Sequence, residues 1–242
     1  MSFTQANRPI AIHSPLGADV LLLEAIAGSE SISELFAFQL DMLADSTKTI
    51  AFDKILGQAV SIRVEIPGKK QRWFHGIVGR FSQGGQIQAA QGDVHFIRYR
   101  AELVPKIWLL TRIQRSRIFQ QKTVLQILQV LFAGYDVDYS GVKQSFKPRD
   151  YCVQYRETDF HFASRLMEEE GIFWFFKHEE NKHTLLLGDQ PAVHATLPVG
   201  PTTVLMEAVT GGTRDEDRVI HWSKTQEVRS GKVTYWDHCF EM

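Results

Sequence analysis

The stretch that most constrains this sequence runs from Asp150 to Phe176, DYCVQYRETDFHFASRLMEEEGIFWFF. Tyr151, Val153 and Tyr155 alternate with Cys152, Gln154 and Arg156, the period of a strand with one aromatic and β-branched face. Thr158 then stands where a helix N-cap belongs, with Asp159 in a first turn whose dipole favours a carboxylate. Phe160, Ala163, Leu166, Met167 and Glu170 follow at spacings of three and four, and all but the last form an apolar stripe. Gly171 is a natural stop, because the residue after a helix often enters the left-handed region. The IFWFF run behind it is too short to cross a bilayer and reads as a buried strand. Its large apolar side chains on both faces call for a second layer or another subunit as cover.

The sequence before this stretch reads as short strands with turn chemistry between them. Residues 10–26 carry strand patterning around Pro15-Leu16-Gly17, and Phe36, Phe38, Leu40 and Met42 line one face of the next. A short helix fits Phe52 to Leu56, ended by Gly57. Val60, Ile62, Val64 and Ile66 alternate up to a hairpin signal at Pro67-Gly68, and a further turn is expected at Gly84-Gly85. The β pattern resumes through Val94, Phe96 and Tyr99. Such a run indicates an antiparallel barrel or sandwich. A helix is expected near 123–133, where Thr123 and Gln126 have capping-box spacing and Val124, Ile127, Leu128, Leu131 and Phe132 form a stripe ended by Gly134. Beyond the opening stretch, a hairpin turns near Asn181, Leu185 to Leu187 reads as a strand covered on both faces, and Val219 to Phe240 offers more β pattern with a turn at Ser230-Gly231. The fold class is mainly β with helices (α+β).

Little here points to chemistry. A formal net charge of −1 argues against a nucleic-acid binder, and the most basic segment, RIQRSRIFQQK, spreads four cations over eleven residues as a solvated or ion-paired surface does. Cys152 and Cys239 are too few for a disulfide scaffold, match no metal-ligand spacing, and suit a reducing cytoplasm. The opening MSFTQANRPI lacks the cationic and apolar regions of a signal peptide. His178-Glu179 and His183 give HExxxH, in which the histidines do not share a helix face, although His161, His178 and His183 are a conceivable metal set with a glutamate. Glu168, Glu169 and Glu170 point about 100° apart on a helix and so do not face one substrate; the first two read as solvated and Glu170 as a cap for a neighbouring group. Arg156, Glu157, Asp159 and Arg165 form a charge set at the strand–helix junction, read as capping with a local ion pair or as a subunit contact.

The run VQYRETDFHFASRLMEEEGIFWFFKHEENKHTLLLGD resembles the signature of the VgrG proteins, the spike proteins of bacterial type VI secretion systems. LLEAIAGSESISELFAFQLDML, ILGQAV, WFHGIVGRFSQGG and LVPKIWLLTRIQRSRIFQQKTVLQIL stand in that family's order, so the resemblance covers nearly the whole chain. It implies two β-barrel-like subdomains of the phage tail hub type. Residues 1–149 are the first, with the helix near 123–133, and residues 150–242 an incomplete second. It also implies a structural role without catalytic residue, metal or cofactor. A homotrimer with pseudo-six-fold symmetry would cap the hexameric Hcp-type tube, contact baseplate components and carry a membrane-puncturing needle, with effectors or adaptor proteins held through C-terminal parts. Arg156, Glu157, Asp159, Arg165 and Trp174 are the signature residues expected at subunit contacts. Assembly would take place in the cytoplasm, followed by export through the type VI machine to the outside or into target cells.

Family members continue past the equivalent of Cys239-Phe240 into more hub sequence, a small OB-like barrel and a β-helical needle, which implies a fragment or a truncated gene here. The sequence also departs from the family at Lys106, where a Trp usually follows the Pro; a change of packing alone is expected. Two rival readings are the hub of a phage or phage-like contractile tail and, from another class, a metal-dependent hydrolase built on the histidines and glutamates of Phe160 to His183.

Overall fold

The computed structural model describes residues 3–66, 70–88, 95–194, 203–207, 218–219, 221–228, 230–232 and 234. The chain forms two compact units, Met1–Gly200 and Pro201–Met242. In the first, β1 (Ile10–His13), β2 (Leu22–Ser29), β3 (Ala37–Asp45), β4 (Ala59–Ile66), β5 (Lys70–Gln88) and β6 (His95–Val104) make one antiparallel sheet of order β1-β4-β5-β6-β3-β2. Period-two patterning explains its inner face: Phe38, Leu40, Met42 and Ala44 of β3 are buried with Val60 and Ile62 of β4 and Tyr99, Ala101 and Leu103 of β6. Each fully buried Val, Leu, Ile, Met or Phe among them contributes about 1.5–3 kcal/mol of transfer free energy.

The expected turn at Gly84-Gly85 is instead a bulge inside the continuous strand β5. Glycines with no side chain to pack let the strand bend there while it stays paired to β6. Residues 67–69 and Val94 lie outside the described residues, although Ile66 and Lys70 pair across the first of these gaps. The helix expected at Phe52 to Leu56 is one 3-10 turn, Phe52–Lys54, followed by Gly57 at φ +75.

β1 and β2 are the two ends of the sheet and share no ladder. The buried side-chain amide of Gln5 bridges them. Its Oε1 accepts from the backbone N–H of Ile12 and of Leu23, each at 3.0 Å, and its Nε2 donates to Ile12 O at 3.3 Å and Leu21 O at 3.0 Å. One side chain thus supplies the rung that the strands do not form with each other.

A second core follows. β7 (Gln114–Lys122) pairs antiparallel with β9 (Arg149–Thr158), and β10 (Phe173–His178), β11 (His183–Gly188) and β8 (Val137–Gly141) form a three-stranded sheet in which β8 runs parallel to β11. α1 (Val124–Leu131) and α2 (Asp159–Glu169) pack here. Thr123 Oγ1 accepts from the Gln126 N–H while Gln126 Oε1 accepts from the Thr123 N–H, which satisfies two otherwise orphaned donors of α1. In α2 the buried stripe is Phe162, Ala163, Leu166 and Met167, while Phe160, expected in it, is only partly buried and meets Trp174 edge-on. Leu185 and Leu187 are buried but Leu186 only half so, and on the outer face of β10 the exposed His194 stacks on Phe173 and leans on Phe175, both half-buried. β7 was not evident as a strand from its sequence. Within Pro201–Met242, β12 (Leu205–Met206) and β13 (Arg218–Val219) pair in parallel and Arg218 is ion-paired with Glu207. The β pattern expected for the tail is not formed at 221–228, and Cys239 lies outside the described residues.

Candidate functional site

The signature charges meet where β9 turns into α2. Thr158 caps the helix, its hydroxyl accepting from the His161 N–H at 3.1 Å. Glu157 receives Arg165 Nη2 at 2.8 Å and His161 Nδ1 at 2.8 Å. Arg165 also donates to Val153 O at 2.8 Å and lies over the Phe162 ring, which fixes the helix to its strand. Burial pushes the Glu157 carboxyl up, but the hydrogen bonds from Arg165 and His161 outweigh it and hold the group below the usual carboxylate range.

Asp159 is buried and does not pair with Arg165. Its Oδ1 accepts from Arg117 Nη2 at 2.7 Å and from Gln154 Nε2 at 2.8 Å, and Arg115 lies 3.5 Å from Oδ2. Arg115 and Arg117 belong to the basic segment, so part of its charge is ion-paired on β7. Arg156 has φ +48, a left-handed conformation that a non-glycine residue adopts only when its surroundings hold it there. Gln114 Nε2 donates to Arg156 O at 2.7 Å, and the Arg156 N–H donates to Ser116 Oγ at 3.2 Å, which supplies that hold. Trp174 lies apart, buried in the second core.

On β9 the usual sense of burial is reversed. Phe119, Cys152 and Gln154 point inward, while Ile118, Tyr151 and Tyr155 are 57%, 58% and 65% exposed and Val153 is exposed beside them. Val153 pairs with Ile118 across the ribbon, and the Arg156 guanidinium covers the Tyr155 ring. This leaves a contiguous apolar strip with a cationic end on the surface.

His161, at the α2 junction, is not brought to His178 and His183, which form the closing pair of the β10–β11 hairpin. His75 of β5 joins those two instead. Among the described residues no group of three His, Cys, Asp or Glu side chains is placed to hold a metal ion. Glu169 and Glu170 both bind Arg149, the former at 2.9 Å, while Glu168 is exposed. Gln5 and the basic pair Arg115 and Arg117 carried no local signal of their roles.

Residues 29–242 match the family described as phage tail baseplate hub. The chain is 38% identical over 243 residues to the type VI secretion system spike protein VgrG1c of Pseudomonas aeruginosa, covering 100% of this chain and 32% of that protein. It therefore spans about a third of the length of this curated relative. Among solved structures it is similar to the E. coli c3393 protein, a component of the type VI secretion system with structural similarity to T4 bacteriophage tail proteins gp27 and gp5. That likeness has a TM-score of 0.60 at 24% identity, over 76% of this chain and 49% of that one. A 43 kDa tail protein of prophage MuSo2 from Shewanella oneidensis gives a TM-score of 0.51 at 15% identity, over 81% of this chain and 58% of that one. These two likenesses show the fold, which is that of tail hubs.

Proposed function

The chain belongs to the phage tail baseplate hub family, and from that premise we propose that it is the hub region of a type VI secretion spike. In this reading three copies close into a ring that seats on a hexameric Hcp-type tube, meets the baseplate and carries a needle with its effectors or adaptors. The type VI machine itself exports the assembly. The two-subdomain organisation, with a break near Arg149, belongs to the same proposal. Two cores support a division into two parts, but Ile107 to Phe132, and α1 with them, pack in the second core, which favours a boundary ahead of Ile107.

The observation that carries this reading is the exposed strip Ile118, Tyr151, Val153 and Tyr155 on a ribbon whose other face is already in the core. A mechanical ring needs a self-complementary or head-to-tail surface rather than an active site. Here the apolar strip supplies the area, and Arg156 and the Glu157–Arg165 pair supply a charged rim. The titratable side chains around it are engaged with one another, and we read the region as non-enzymatic.

Native mass spectrometry of the 242-residue chain over a range of concentrations tests the reading. A trimer that dissociates in the Tyr151→Ser/Tyr155→Ser double variant is expected; a monomer at every concentration would place the subunit contacts outside this chain. The likeness to a prophage tail protein favours a second reading, the hub of a phage-like contractile tail. Neighbouring genes separate the two: sheath and tube genes of a type VI cluster, or capsid and tail-fibre genes.

A further inference from the structure

The two cores of Met1–Gly200 are joined through histidines. Ser33 N–H donates to Trp174 O at 2.8 Å, Trp174 N–H donates to Ser33 Oγ at 3.4 Å and Ser61 Oγ donates to Glu180 O. The remaining polar contacts of the hairpin with the first sheet run through three imidazoles. His75 N–H donates to His178 Nδ1 at 3.0 Å, His178 Nε2 meets Glu30 Oε1 at 2.7 Å, and the Nδ1 atoms of His75 and His183 are 2.8 Å apart. Lys106 N–H donates to His183 Nε2 at 2.9 Å. Phe36, Phe74 and Phe176 pack around the rings.

These contacts fix the protons. His183 Nε2 is an acceptor, so in the neutral ring the proton sits on Nδ1 and is donated to His75 Nδ1; the proton of His75 is then on Nε2. One proton occupies the space between the two Nδ1 atoms. A second proton on His75 sets two N–H groups against each other across 2.8 Å, and a second proton on His183 sets Nε2–H against the Lys106 N–H. Both nitrogens of His178 and of His183 are already engaged, which leaves no metal-ligand set here.

We propose that the His75–His183 pair is an acid-operated latch that holds the β10–β11 hairpin on the first sheet while both rings are neutral and lets it go when either is protonated. The groups facing the pair come from every neighbouring element. His178 and Lys106 oppose added positive charge, Asp136, just ahead of β8, favours it at His75, and Glu30, which carries Arg72 at 3.6 Å, faces His178. Lys182, Glu179 and Lys177 pair among themselves on the hairpin. A cleft of about 300 Å³ lined by His75, His183, Lys106, Tyr135 and Asp136 gives water a route to the pair. Burial, with His178 second, pushes His75 below its ordinary value, and burial, then the fields of His75, His178 and Lys106, pushes His183 down to about 3.

Because the closed state takes up protons at lower pH than the open one, closure is complete above about pH 6.5 and weakens as pH falls. With His183 at about 3 closed and 6.5 open, the opening equilibrium rises about thirtyfold between pH 7.5 and pH 5. Hydrogen exchange of the full 242-residue chain, corrected for intrinsic rates, reads this directly. Peptides across 173–188 are expected to lose protection about thirtyfold over that range while β3 and β6 do not, and His183→Gln is expected to shrink the loss to the part that His75 carries. Should that variant not fold, His183→Asn is read in the same way, with the loss again reduced. A hairpin equally protected at both pH values, a loss shared by β3 and β6, or an unchanged pH dependence in the folded variant would overturn the latch.

Discussion

Asp159 and Arg117 meet at 2.7 Å across the seam between β7 and α2, with Gln154 bound to the same carboxylate oxygen. The carboxylate is buried while Arg117 is partly open to solvent. Truncation of Asp159 removes the carboxylate that balances Arg117 in a largely dry seam and leaves Arg117 only Gln154 Oε1, and Gln154 Nε2 only Glu157 O, to bind. Asp159→Ala is expected to cost about 3 kcal/mol, somewhat less than for a fully buried pair. Urea unfolding followed by tryptophan fluorescence measures it. A loss under about 1 kcal/mol would mean that the seam is held by its apolar contacts alone.

The Gln5 amide makes four hydrogen bonds to backbone groups of β1, β2 and the residue just before β2. Gln5→Ala strands those groups, and a loss of about 2–4 kcal/mol is expected. For a chain of this size each kcal/mol moves Tm by about 2–4 °C. Gln5→Glu should lose nearly as much, because a carboxylate cannot donate to Ile12 O or Leu21 O. Thermal melts of both variants check this; an alanine variant as stable as the parent would show that the sheet ends hold without the bridge.

Glu157 gives a pH dependence of known sign. Its carboxyl is held below the ordinary range, so the folded state binds fewer protons than the unfolded one as pH falls through the acid region. The stabilisation is therefore complete above about pH 4.5 and is lost on acidification through the depressed folded value. Arg165 is partly exposed, which limits the pair to about 1 kcal/mol. Glu157→Gln is expected to be weaker than the parent by about that amount at pH 7 and equal to it near pH 3, in denaturant titrations at the two pH values. A gap that persists at pH 3 would assign the effect to packing.

The sequence shows some of this directly and conceals the rest for identifiable reasons. Period-two patterning gave β3 and β4, and cap chemistry gave Thr123 with Gln126 and Thr158 as the cap ahead of Asp159, because those signals are local. β7 has only Ile118 and Phe119 as large apolar residues, so its strand state comes from pairing with β9 rather than from its own composition. Alternation along Tyr151 to Arg156 defines two faces but not which one is inside. Cys152 and Gln154 take the inner position, where the Gln154 amide meets Arg117 and Asp159. The hairpin ending in His178 and His183 was legible, whereas His75, their partner 103 residues away from His178, is set by tertiary structure alone.

Phe36 is where the two cores depend most on a single side chain. It is fully buried among first-core residues, tilted against Phe38 at 5.4 Å, and it also meets Phe176 edge-on at 5.0 Å and packs on the rings of His178 and His183. Removing it opens a cavity bounded by groups from both cores, so neither can collapse into it without moving the hairpin. Phe36→Ala is expected to cost about 4 kcal/mol and Phe36→Leu about 1–1.5 kcal/mol, since the leucine refills most of the volume. The position of the loss distinguishes a joint from an ordinary core residue. Hydrogen exchange at neutral pH should show Phe36→Ala loosening 173–188 more than β6, even though Phe36 lies on the first sheet's side of the boundary. Equal loosening of both would mean that the cores unfold as one and that Phe36 serves only the first.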